Sequence, residues 1–118
     1  MRRQEQQGFT LIEILIALFI LSVVLLAIST MVFSVMRATS QSKETATATT
    51  LAQDKLESLK NTSVGSLVSG NDSINLGNLT FLRQWIISTA GNIRTVTVTV
   101  NWNSRGAHNL SMTTLRGD

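Results

Sequence analysis

Gly8-Phe9-Thr10-Leu11-Ile12-Glu13-Ile14-Leu15-Ile16-Ala17 opens an apolar run whose reading decides the fold. One carboxylate, Glu13, stands at its start, and Ile14 to Met36 carries no charge at all. As a helix rising about 1.5 Å per residue, that run is roughly 35 Å long, enough to span a bilayer. A charged side chain at bilayer depth costs at least ~2.5 kcal/mol on insertion scales, so Glu13 needs a partner or a reason.

Before the run lies a short polar leader with Arg2 and Arg3. By the positive-inside tendency, these basic residues stay on the cytoplasmic side and the rest of the chain lies outside it. A conventional secretory signal is the alternative, with a small-residue site at Ala27-Ile28-Ser29 before Thr30. Such signals have an apolar core of about 7–15 residues, whereas this run continues through Met31, Val32, Phe33, Val35 and Met36. A conventional signal also leaves Glu13 without a purpose.

The totals narrow the function further. The chain has 118 residues, no cysteine and no proline. Disulfides and thiolate metal sites are therefore excluded, and no proline kinks a long helix. Net charge is +3, but the basic residues Arg37, Lys43, Lys55, Lys60, Arg83, Arg94, Arg105 and Arg116 are scattered. That spread reads as ordinary solvated surface and not as a nucleic-acid footprint.

No glycine or proline interrupts Phe9 to Lys60, which predicts one continuous helix. Ala48, Ala52, Leu56 and Leu59, with Leu51 beside them, form an apolar stripe at helical spacing. Gln41, Glu44, Thr45, Asp54 and Lys55 are assigned to the opposite, solvated side. Asn61-Thr62-Ser63 and Gly65 end the helix. Asp54 and Glu57, three apart on a polar face, read as solvated charges and not as a catalytic pair.

Ser63 to Asn78, rich in Gly, Ser and Asn, reads as a loop. Its Asn71, Asp72 and Asn75 are oxygen donors without calcium-loop spacing, and no metal is expected there. Strands are predicted over Thr80–Ser88, Arg94–Trp102 and His108–Leu115, with turns at Ala90-Gly91-Asn92 and Ser104-Arg105-Gly106-Ala107. The second strand alternates strictly: Val96, Val98, Val100 and Trp102 on one face, Thr95, Thr97, Thr99 and Asn101 on the other. Leu110 and Met112 of the last strand are assigned to the core. Trp85 and Trp102 are read as core anchors, and His108 as a surface or strand-edge residue.

The stretch Gly8-Phe9-Thr10-Leu11-Ile12-Glu13, with its basic leader and following apolar helix, closely resembles the processing motif of type IV pilins and type II secretion pseudopilins. The resemblance implies that a prepilin peptidase cuts between Gly8 and Phe9 and methylates the new amino terminus of Phe9. It also implies a pilin-like α+β fold, a long helix packed on a three- to four-stranded antiparallel sheet. Four segments follow: a cleaved leader, 1–8; a transmembrane or filament-core helix, 9–36; its amphipathic continuation, 37–60; and a small β region, 61–118. The later residues "LAQDKLESLK", "VTVTVNW" and "HNLSMTTL" look like small minor pilins of class V and I-class minor pseudopilins. Many major pilins have a proline in the membrane helix and a carboxy-terminal disulfide loop, and this chain has neither.

The expected function is therefore that of a structural minor subunit, without catalytic residues, metal or cofactor. Glu13 is its expected assembly residue, neutralised by the Phe9 amine of its own or a neighbouring chain. The implied partners are prepilin peptidase, other pilin or pseudopilin subunits, an inner-membrane assembly platform and membrane lipid. No specific nucleic acid is among them. The alternatives are a tip module that binds DNA or a surface, through Arg83, Arg94 and Arg105, and an unrelated anchored exported protein.

Overall fold

The computed structural model describes residues 8–117. Helix α1 runs Leu11–Asn61, and a 3-10 turn, Val64–Ser66, follows it. Four strands then complete the chain: β1 Gly70–Leu76, β2 Leu79–Ala90, β3 Ile93–Asn103 and β4 Ala107–Gly117. They form one antiparallel sheet in the order β1-β2-β3-β4, the expected α+β arrangement. The chain divides after Ser40 into two compact units.

In the first unit, α1 is apolar on every side. Its large apolar side chains from Leu11 to Met36 stay 46–75% exposed, so no protein surface covers them. A helix apolar all round belongs in lipid or among other helices. Its few polar side chains suit that setting. The hydroxyls of Ser22, Ser29 and Thr30 donate to the carbonyls of Leu18, Leu25 and Ala27 at 2.7–2.8 Å. Each of these three hydroxyls is thereby satisfied inside the helix, as hydrocarbon demands. The charge-free run ends at Arg37, whose guanidinium lies 4.8 Å from the Phe33 ring centre. A cation over an aromatic face suits the boundary between oil and water.

In the second unit, the predicted stripe is the helix side of the core. Ala48, Ala52, Leu56 and Leu59 are buried together with Leu67, Phe81, Val96, Val98, Val100 and Trp102. The two alanines are fully buried in this cluster, as are Val96, Val98 and Val100 of β3. Leu51, Trp85, Leu110 and Met112 close the margins of this cluster. Alternation along the strands does the sorting, since successive side chains point to opposite faces. Trp102 is 6% exposed and stacks between Phe81 and His108, at ring distances of 5.8 and 5.5 Å.

The segment read as a loop is corrected here. Residues 70–76 form β1, paired with β2 from Gly70↔Trp85 to Leu76↔Leu79. Its turn is the dipeptide Gly77-Asn78, with Gly77 at φ 62°. Glycine at the first position of a two-residue hairpin supplies the positive φ such turns require. The strand is polar because it is an edge, where polar residues discourage further pairing.

The basic residues are also corrected. Arg83, Arg94 and Arg116 are partly buried clamps and not freely solvated charges. Arg116 Nη1 donates to the carbonyls of Leu59, at 2.9 Å, and Thr62, at 2.6 Å. Arg94 Nη1 donates to the carbonyl of Val64. Both donate to carbonyls at or just beyond the end of α1, and the Arg116 charge suits the negative end of the helix. Arg83 grips both carboxylate oxygens of Asp72, at 2.8 and 2.5 Å, and reaches the Leu51 carbonyl at 3.2 Å. These hydrogen bonds, chiefly, hold the Asp72 carboxyl below the usual carboxylate range.

Two helix residues assigned to the solvated side meet the sheet. Glu44 accepts the Ser104 hydroxyl at 2.7 Å, and the Lys55 ammonium sits 3.6 Å from the Trp85 ring centre. Sequence spacing put them away from the stripe's centre. The sheet is wide enough to reach around to them.

Candidate functional site

The site lies where the chain enters α1. Gly8, Phe9 and Thr10 precede the helix and are exposed, Phe9 by 79%. A Cβ placed on Gly8 would meet no atom within 4 Å among the described residues, so the backbone of Gly8 is open to another molecule. Such openness is what a protease needs at the bond it cuts.

Thr10 sets the start of the helix. Its Oγ1 accepts the backbone N–H of Glu13 at 3.3 Å, while its carbonyl accepts the N–H of Ile14 at 3.2 Å. Thr10 is therefore the N-cap, and Glu13 stands at the third helical position. The pair Thr10-x-x-Glu13 matches the sequence of a capping box, a signal that reading for charge alone missed. A carboxylate in the first turn is favourable to the helix by about 0.3–1 kcal/mol through the macrodipole.

Glu13 shares a shallow groove with Phe9, Ile14, Ala17, Leu18 and Leu21. Small Ala17 lies one turn beyond it and leaves space beside the carboxylate. Among the described residues, no cation lies within ion-pair distance of Glu13. Four residues separate it from Phe9, about 6 Å of helix rise, so an amine on Phe9 would be within a turn of it. Arg2 and Arg3 of the leader lie outside the described residues.

The other candidates are accounted for by the fold. Asp54 and Glu57 are exposed side chains. Asp72 is held by Arg83, and Asn75 Oδ1 accepts the Thr80 hydroxyl at 2.8 Å. Among the described residues, no three His, Cys, Asp or Glu side chains converge as a metal site. Trp85 donates its Nε1–H to the Val68 carbonyl at 2.9 Å, and a nitrogen of His108, Nε2, lies 3.0 Å from the Ser104 carbonyl. Of the arginines considered for DNA contact, Arg83 and Arg94 are committed to internal acceptors, leaving Arg105 exposed on the β3–β4 loop.

A family model described as the prokaryotic N-terminal methylation motif matches residues 3–29, the segment that contains this site. No curated protein and no solved structure gives a significant match. The motif indicates type IV pilin-like prepilin processing, with a methylated amino terminus and assembly with other pilins. Among the described residues, one helix is long and apolar enough to cross a membrane, which fits a membrane-anchored, single-span chain. By its methylation motif and the long apolar helix among its described residues, the chain carries the amino-terminal signature of type IV pilins and pseudopilins.

Proposed function

We propose that this chain is a minor pilin or pseudopilin, cut between Gly8 and Phe9, methylated on Phe9, and recruited to a filament through Glu13. Cutting removes the first eight of the 118 residues and leaves a chain of 110 that begins with a charged amine. The single observation that carries the reading is the open backbone at Gly8 directly before a capped apolar helix with Glu13 in its first turn. The leader stays in the cytoplasm. The anchored precursor waits in the bacterial inner membrane with its β region outside the cytoplasm, in the periplasm or at the cell surface once in the filament.

In this mechanism the chain performs no bond chemistry. A peptidase supplies cleavage and methylation, and an assembly platform extracts the processed chain from lipid. Glu13 then acts as a register mark. Apolar helix faces slide past one another at little cost, but an unpaired charge in oil is expensive. Neutralisation by the Phe9 amine of a neighbouring subunit favours one axial offset. The role of a minor subunit is supported by the absence of both proline and cysteine, unlike many major pilins.

Sheared filaments or extracted pseudopili test the role directly. Quantitative mass spectrometry is expected to find this chain at a small fraction of the dominant subunit's abundance. Equal or greater abundance would make it the major subunit instead.

A further inference from the structure

The outward face of the sheet carries no charged side chain. The charged residues of the strands, Asp72, Arg83, Arg94 and Arg116, alternate onto the helix side. Outward positions are Thr, Ser, Asn, Gln and a few aliphatics, in a chain whose net charge is +3. Leu82 and Ile86 stand 57% and 52% exposed on this face.

Four of the hydroxyls here are already paired across β3 and β4. Thr97 faces Thr113 with oxygens 3.3 Å apart, and Thr99 faces Ser111 at 3.0 Å. Removing water from paired hydroxyls costs less than removing it from free ones. No aromatic side chain lies on the face, so it lacks the stacking platform that sugars and bases use. A polyanion finds no cation on it.

We infer that this face is a docking surface for the same face of a second copy of the chain. Elsewhere on residues 41–117 the surface carries charged side chains, Lys43, Asp54, Glu57, Lys60 and Arg105 among them, which two copies would bring together. Here a neutral surface meets its like without repulsion. Four strands about 4.8 Å apart, of 7, 12, 11 and 11 residues at about 3.3 Å each, give roughly 650 Å². That approaches the ~800 Å² each partner contributes to a standard stable interface. Membrane anchoring adds to this, because confinement to two dimensions raises effective concentration. The inference concerns the β region and stands apart from the minor-subunit reading.

The chain has no cysteine, so one introduced thiol is unique. The full-length chain carrying Ser111→Cys, in membranes of the producing cells, is treated with a short bis-maleimide. It is expected to give several-fold more homodimer than Glu57→Cys, placed on the exposed helix surface. Adding Ile86→Lys buries a charge at the centre of the contact and should reduce that product by about tenfold or more. The unfolding temperature of Ile86→Lys is measured alongside, and exposed Gln84→Lys replaces it if that temperature falls. Overturning results are Ser111→Cys no better than Glu57→Cys, a product joined to a different protein, or lysine variants that cross-link undiminished.

Discussion

The Thr10 hydroxyl accepts the backbone N–H of Glu13 at 3.3 Å, so the residue that begins the helix also orients the residue that carries its charge. Capping fixes where the first turn starts, and therefore where along the axis the carboxylate stands. Thr10→Ala is expected to cost about 1 kcal/mol of local helix stability, whereas Thr10→Ser costs a few tenths. Amide exchange at Leu11–Ile14 in lipid nanodiscs reads this. Faster exchange in both variants, or in neither, would show that the hydroxyl does not hold the first turn.

Glu13→Val removes the charge and keeps a helix-compatible side chain. Membrane insertion and cleavage should proceed as in the parent, since neither needs the carboxylate. Incorporation into filaments should be lost. Cell fractionation followed by blotting of sheared filaments measures all three steps on one sample. Normal incorporation of this variant would remove Glu13 from the assembly mechanism.

Arg116 closes the far end of the same helix. Arg116→Leu removes the guanidinium donor from the Leu59 and Thr62 carbonyls and should destabilise the β region by about 1–3 kcal/mol. Arg116→Lys should recover part of that loss. Thermal unfolding followed by tryptophan fluorescence in detergent reports the difference. An unchanged transition in Arg116→Leu would mean that water replaces the guanidinium at no cost.

Asp72 gives the β region an acid-sensitive component. Its carboxyl titrates lower in the folded chain than in the unfolded one, chiefly through its hydrogen bonds with Arg83. The contribution is therefore complete above the ordinary Asp value, about pH 4, and is lost as pH falls through the lower folded-state value. Asp72 remains 37% exposed, so solvent screening holds the effect to about 1 kcal/mol or less. Asp72→Asn should flatten the stability profile below about pH 4 relative to the parent. Parallel profiles for the two chains would contradict this.

The most legible features were local ones. The spacing from Gly8 to Glu13, the uninterrupted helix, the stripe from Ala48 to Leu59 and the alternation from Val96 to Trp102 each repeat with the period of the structure that holds them. Thr10 opens a capping-box pattern that reading for charge alone passed over. β1 was hidden because an edge strand is stabilised by its neighbour's hydrogen bonds, and Gly70-Asn71-Asp72-Ser73 has low strand propensity of its own. The clamps formed by Arg83, Arg94 and Arg116 were hidden for a different reason. Their backbone-carbonyl acceptors lie 30 or more residues away along the chain, and only the fold brings them together.

The account rests on a new amine at Phe9 that meets the charge of Glu13. Intact mass spectrometry of the chain extracted from native membranes tests this most directly. The account predicts a polypeptide that begins at Phe9 and carries one added methyl group. A chain that retains Met1–Gly8, or one that begins at Thr30, would contradict it.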